Sequence, residues 1–327
     1  IVFAVGDMIA AGASVKIGIK LGEKKEEEAS NIFSIALLLM FIIDSIFMIL
    51  SLVFAKDIIF ILIKDKELAT LSYRFAYVFI LALPIIAPFF ALDNYLRLCG
   101  KANMSMWINI AVSILNIILD AILIGYFKLG IEYAALCSAL SMFIGTLIFL
   151  YPFIMKKVTL RFTKPKVDVK EILYIIYNGS SEFLSNISNS IMAIITNGFL
   201  LYYGGPVGVA AFSIVMYIDA LISPILFGMI DSILPVISYN YGAKDYKRIT
   251  TFFKITCIVG FTISILTMII IFIFPDFLVG LFSSKSDVDI IYMGKIALLL
   301  SAPSYLFKWF TMTVGSFLTG LEKANNL

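Results

Sequence analysis

An asparagine and an aspartate stand four residues apart in the apolar run Leu115-Asn-Ile-Ile-Leu-Asp120. On a helix this spacing puts Asn116 and Asp120 on one face. Asp120 lies five residues before Gly125, about 8 Å below the helix end. A carboxylate at that depth in hydrocarbon needs a partner, a proton or a cation. The next apolar stretch offers a hydroxyl, Ser138, in Ala134-Ala-Leu-Cys-Ser138. Amide, carboxylate and hydroxyl together would make an oxygen-lined pocket for a proton or a small hard cation. The plainer alternative is a boundary carboxylate that caps a neighbouring helix.

A second constellation follows. Glu182, Asn186, Asn189 and Asn197 are spaced by four, three and eight residues, which draws one stripe along a helix. Glu182 is eleven residues beyond Glu171, about 16 Å along the axis, and Asp219 is as far beyond Gly208 on the following span. Two carboxylates at similar depth suggest a substrate cavity whose wall attracts cations and is switched by protonation. The competing expectation is a polar seam that holds helices together. Asp93 and Arg97, also four apart, are expected to pair with each other, whereas Lys16, Lys20 and Lys254 can snorkel to an interface. Lys308 is a candidate counter-charge for a carboxylate in the second half. The roles of Asp7, Asp44 and Asp231 stay open.

The elements that must position these groups are set by composition. Of the 327 residues 61% are hydrophobic and 14% charged, and the mean hydropathy is +1.02, which cannot make a water-facing surface. Nine spans of membrane length run near 1–21, 31–54, 70–97, 105–125, 131–155, 171–203, 208–239, 249–274 and 288–320, each around the ~20 residues that a bilayer requires. The predicted class is therefore all-α: a polytopic membrane helical bundle. Pro84, Pro224 and Pro303 fall within spans and suit either hinges or packing bends. There is no histidine, and Cys99, Cys137 and Cys257 are scattered, so imidazole catalysis, a disulfide framework and a metal centre are not signalled. The expectation is a protein that is not an enzyme, takes no cofactor or metal, and binds no nucleic acid.

The chain also repeats itself. Ser238-Tyr-Asn-Tyr-Gly-Ala-Lys-Asp-Tyr-Lys-Arg248 has a near-copy in Ile19-Lys-Leu-Gly-Glu-Lys-Lys-Glu26. With Gly22 set on Gly242 the halves align for about a hundred residues, Phe54 with Phe274 and Pro84 with Pro303, ending with Gly-Lys-Ala-Asn at 100–103 on Glu-Lys-Ala-Asn at 322–325. So long a period, built of several apolar segments, is a duplicated bundle; in membrane proteins it points to a transporter with its path between the halves. Lys and Arg favour the loops 22–30, 98–104 with the adjoining Arg97, 156–170, 240–248 and the 321–327 end over Lys56, Lys64, Lys66, Lys128 and Lys285, fourteen against five, so the first set is expected to be cytoplasmic. The organisation read from this is an N-terminal lobe at 1–155, a basic cytoplasmic linker at 156–170 and a C-terminal lobe at 171–327. The linker could equally do nothing beyond fixing topology.

Leu115-Asn-Ile-Ile-Leu-Asp120 followed by Leu129-Gly-Ile-Glu-Tyr-Ala-Ala135, and Pro235-Val-Ile-Ser-Tyr-Asn-Tyr-Gly-Ala243, resemble the multidrug and toxic compound extrusion (MATE) family. Gly179-Ser-Ser-Glu-Phe183 and Gly208-Val-Ala-Ala-Phe-Ser213 are similar to its bacterial multidrug-efflux branch. The resemblance covers the whole chain. It implies two pseudo-symmetric six-helix lobes, of which this chain would carry helices two to ten and lack the first and the last two. It implies antiport of H⁺ or Na⁺ against organic cations or drugs in a cell membrane, by a monomer whose partners are small organic substrates and the bilayer. Within the family's coupling pocket, Asn116, Asp120 and Ser138 fall on matching positions. Glu182, Asn186, Asn189 and Asp219 are the candidate substrate cavity. Ala121 and Tyr133 depart from the family pattern, which has Pro and Gly there, and Asp231 and Leu234 alter the approach to Pro235. The runner-up is a flippase for lipid-linked oligosaccharide or another lipid. That function would want a strongly cationic lumen, and the charges here are mainly acidic.

Overall fold

Apolar residues dominate each span, so the backbone must satisfy its own hydrogen bonds, and in a single chain segment only a helix does so. The computed structural model describes residues 2–283 and 288–322, and among these every regular element is helical. In chain order they are α1 (Val2–Gly22), α2 (Glu26–Leu62), α3 (Lys66–Ile86), α4 (Pro88–Leu98), α5 (Ala102–Asp120), a π-helical turn (Ala121–Tyr126), α6 (Ile131–Ile154), α7 (Val169–Gly242), α8 (Tyr246–Ile273), α9 (Pro275–Gly280), α10 (Val288–Ser301), a 3₁₀ turn (Ala302–Ser304) and α11 (Tyr305–Gly320). Seven of the described helical stretches are long and apolar enough to cross a membrane. One is α7, whose 74 residues are far too many for a single crossing. It breaks at Gly205, where φ is 60° and ψ −163°, a backbone state open to glycine and few others. Its two arms match the spans expected on either side of that point, while α1, which corresponds to the expected span 1–21, is not among the seven. Lys285 and Lys323-Ala-Asn325 lie outside the described residues.

The prolines act in different ways. Pro84 sits inside α3 three residues before the helix interrupts at Ala87, and Pro303 lies in the 3₁₀ turn between α10 and α11. Pro224 leaves α7 helical.

The duplicated loops share one backbone device. At the end of α1, Lys24 takes φ 63°, its N–H donating to Leu21 O at 3.0 Å and that of Lys25 to Lys20 O at 2.9 Å. At the matching end of α7, Lys244 takes φ 58°, its N–H donating to Tyr241 O at 3.0 Å and that of Asp245 to Asn240 O at 2.9 Å. Gly100 and Glu322, paired by the repeat, take φ 72° and 61°. Each is a left-handed residue that closes a helix and satisfies its last carbonyls. In the first of these loops the Lys25 ammonium, 2.9 Å from Glu23, holds that carboxyl below its usual range, with help from Lys20.

The chain forms two compact units, residues 1–183 and 184–327. In the first, Phe33 of α2 stacks on Phe153 of α6 at 4.9 Å and meets the edge of Tyr95 at 5.6 Å, among the buried Ile9, Met40 and Phe149. In the second, Ile214 and Ile218 of α7 pack with Ile271, Val279, Leu298 and Tyr305.

Two features of the first unit hold the residues leading into α7 and its opening turns, all before residue 184. The segment after α6 is strapped in extended form onto the start of α2. Ser30 Oγ accepts from Arg161 N at 3.2 Å and Ser34 Oγ from Thr163 N at 3.0 Å, while Asn31 accepts from Lys166 N at 2.8 Å and donates to Lys166 O at 3.2 Å. Val158 and Leu160 are buried beneath it, and Phe162 lies 5.1 Å from Phe33. The opening turns of α7 then cross α1 backbone to backbone. A Cβ on Gly12 would stand 2.0 Å from the Ile175 carbonyl oxygen, and one on Gly179 would stand 1.8 Å from that of Met8. Small residues at a crossing allow this approach, which drives helix association in lipid through close packing.

Candidate functional site

The α5–α6 pair brings the first constellation together. Asn116 Nδ2 donates to Ser138 Oγ at 3.3 Å. One turn on, Asp120 closes α5, and the thiol of Cys137 lies against its carboxylate. One Asp120 oxygen is sealed from solvent with no hydrogen-bond partner among the described residues. The helix changes register here: the Ala121 N–H is shared between Ile117 O and Ile118 O, and a π-helical turn runs from Ala121 to Tyr126. Such turns cost hydrogen-bond geometry and gather at functional sites. A half-buried carboxylate, an amide and a hydroxyl on facing helices can hold a proton or coordinate a small cation. Sequence pattern placed these three residues; the Cys137 neighbour and the π turn carried no signal of comparable strength.

The stripe of α7 is less uniform than its spacing suggests. Glu182 and Asn189 are exposed and Asn186 is half-buried. Asn178, one turn before Glu182 and outside the expected set, is buried with an amide nitrogen lacking a partner among the described residues. Glu182 belongs to the first compact unit, Asn186, Asn189 and Asp219 to the second.

Asp219 is heavily engaged. Lys308 Nζ donates to its two oxygens at 2.7 and 2.9 Å and to Ser223 Oγ at 2.6 Å, Tyr305 OH donates to Oδ1 at 3.0 Å, and Ser223 Oγ donates to Oδ2 at 2.9 Å. Lys308 is thus the counter-charge anticipated for a carboxylate of the second half. Asp93 and Arg97 pair at 2.6 Å, as their spacing suggested, and Ser105 and Asn109 of α5 complete a satisfied network with Asp93. Asp44 of α2 differs from both. It is fully buried, neither oxygen has a hydrogen-bond partner among the described residues, and it lies within electrostatic reach of Asp7. Among the described residues no cluster of potential metal ligands occurs.

A family model described as MatE matches residues 1–122 and 183–326. The chain belongs to this family, the MATE transporters. It is a polytopic membrane protein. The part between the matched stretches holds the rest of the π turn, α6 with Ser138, and the strap, and ends at Glu182. Among curated relatives, multidrug export protein MepA of Staphylococcus aureus is 28% identical over 329 residues, covering 99% of this chain and 70% of that protein. MepA of Staphylococcus saprophyticus is 28% identical over 331 residues with the same coverage. The fold matches solved MATE structures. An outward-facing multidrug resistance MATE transporter of the MOP superfamily superposes with a TM-score of 0.94 at 24% identity, covering 99% of this chain and 73% of that one. A MOP superfamily transporter from Pyrococcus furiosus, described as having a binding pocket of reversed polarity, gives 0.93 at the same identity and coverage.

Proposed function

We propose that this MATE protein is a secondary active antiporter that exports organic cations or drugs in exchange for H⁺ or Na⁺. Family membership supports transport, and the names of the MepA relatives support drug export. The observation that carries the coupling step is Asp120, with a sealed oxygen that has no hydrogen-bond partner among the described residues, one turn from the Asn116–Ser138 hydrogen bond. A group so placed gains most from taking up a proton or a cation. Glu182, Asn186 and Asn189 are proposed to line the substrate path, with Asp219 contributing through its Lys308 pair. The proposed setting is the cell membrane, with a monomer oriented so that the basic loops face the cytoplasm. The lobes are proposed as 1–155 and 171–327, joined by the strap.

The test is transport of a fluorescent organic cation by the protein reconstituted in vesicles, with pH and sodium gradients imposed separately. Asp120→Asn preserves shape and removes the titratable charge. It is expected to abolish export driven by the coupling gradient while the protein stays folded. Undiminished export by this variant would move coupling elsewhere, with Glu182 the next candidate.

A further inference from the structure

An open cavity of 660 Å³ lies where the α4–α5 loop meets the end of α6, with Lys101, Asn103, Tyr151 and Lys157 among its lining residues. No acidic side chain lines it. Among the described residues neither lysine has a carboxylate within ion-pair distance. Both are set by left-handed turns. Gly100 at φ 72° turns the chain so that Lys101 N donates to Leu96 O, and Lys156 at φ 55° folds Lys157 back so that its N–H reaches Pro152 O. Lys157 Nζ then donates to Tyr151 OH at 3.0 Å and sits 4.6 Å from the centre of that ring. The strap on α2 holds this arrangement from the other side, burying Val158 beside the cavity.

Two positive charges on ordered backbone, with no negative charge to answer them, want an anion. What lies next to them says which kind. Going up α5 from the cavity the exposed large side chains are Met106, Trp107, Ile110 and Ile114, with the small Ala111 and Ser113 between them, and down α6 from Tyr151 they include Leu147 and Ile148. A soluble anion has no use for that surface, whereas a phosphodiester carrying two acyl chains fits both parts. We propose that the Lys101–Tyr151–Lys157 cavity binds the headgroup of an anionic glycerophospholipid from the adjacent leaflet, its chains lying along the exposed faces of α5 and α6. Basic pockets at helix ends beside an anionic leaflet are suited to this. The lipid would bridge the α4–α5 loop to the strap.

The experiment offers the purified protein equal amounts of phosphatidylglycerol and phosphatidylcholine in mixed micelles and counts the lipids retained by native mass spectrometry. Wild type is expected to retain phosphatidylglycerol at least tenfold over phosphatidylcholine, the scale of two lysines beside an anionic headgroup. Lys101→Ala/Lys157→Ala should lose the preference, and Lys101→Arg/Lys157→Arg should keep it. Lys64→Ala/Lys66→Ala, at the opposite ends of α2 and α3, should leave it unchanged. Equal loss in both alanine pairs would reduce the effect to bulk charge and overturn the proposal. Displacement of the lipid by millimolar inorganic phosphate would overturn it as well, by marking a site for small anions. Both lysines are at the surface, and a monodisperse elution profile separates lost binding from lost folding.

Discussion

Lys308 of α11 places its ammonium 2.7 and 2.9 Å from the two carboxylate oxygens of Asp219 on α7, and both side chains are about two-thirds buried, at 30% and 32% exposed. The pair is net neutral and internally satisfied, so Asp219 does not present a bare negative charge. Its main structural effect is to tie two helices that are distant in sequence.

Removing one partner of such a pair strands the other. Lys308→Met is expected to lower stability by about 1–3 kcal/mol, below the ~3–5 kcal/mol of a fully buried pair because water reaches part of this one. Asp219→Asn/Lys308→Met should recover much of the loss, since no unpaired charge remains. Thermal unfolding of the purified variants in one detergent measures the cycle. Additive losses would mean the two residues do not stabilise each other.

The α1–α7 crossing gives a sharper expectation. Because a Cβ at Gly179 would lie 1.8 Å from the Met8 carbonyl, Gly179→Ala must push the two backbones apart and is expected to cost several kcal/mol. Gly198→Ala, with open space around its Cβ position, should be neutral or slightly stabilising through helix propensity. Comparing monodisperse yield and melting temperature checks the pair. Equal behaviour would mean that the helices do not cross at Gly179.

The strap is testable by proteolysis. Ser30, Asn31 and Ser34 supply its backbone partners, so replacing all three by alanine should free residues 161–166. Trypsin cleavage after Arg161 or Lys166 is expected to rise about tenfold or more, because cleavage follows the population of the opened segment; Lys164 precedes Pro165 and is not a trypsin site. An unchanged rate would mean that the buried Val158 and Leu160 hold the strap unaided.

These three features mark where the sequence was legible and where it was not. Apolar spans announced themselves by length, because a bilayer demands about twenty residues whatever they pack against. Gly205 ended one span where the hydrophobic pattern already paused. The four-residue spacing of Asn116 and Asp120 is a local property, and the Asn116–Ser138 contact needed only that consecutive helices be neighbours. The strap was opaque for the opposite reason. Its composition is that of a basic linker, and what orders it is a row of side chains some 130 residues earlier on α2. Pairing between distant helices, as in Gly12 with Gly179, leaves no periodic trace in one sequence. Asp219 shows the limit from the other direction. Its place along an apolar span was readable, but that alone could not say that Lys308 and Tyr305 would converge on it.

That convergence alters what each acidic residue is expected to do for a cationic substrate. With Asp219 neutralised by Lys308, the other carboxylate of the proposed path, Glu182, which is exposed on α7, is the one to test. Glu182→Gln keeps the side chain's size and removes only its charge. It is expected to weaken binding of an organic cation about tenfold while changing affinity for a neutral ligand of similar shape little, since a uniform pocket change would affect both. Asp219→Asn should leave the selectivity for cations over neutral ligands near that of wild type or lower it, because Lys308 then stands without its counter-charge. Fluorescence titration of matched cationic and neutral ligands on the purified protein reads both variants. Equal weakening for the two ligands in Glu182→Gln would make Glu182 a packing residue. A collapse of cation affinity confined to Asp219→Asn would place the substrate's counter-charge in the second unit instead.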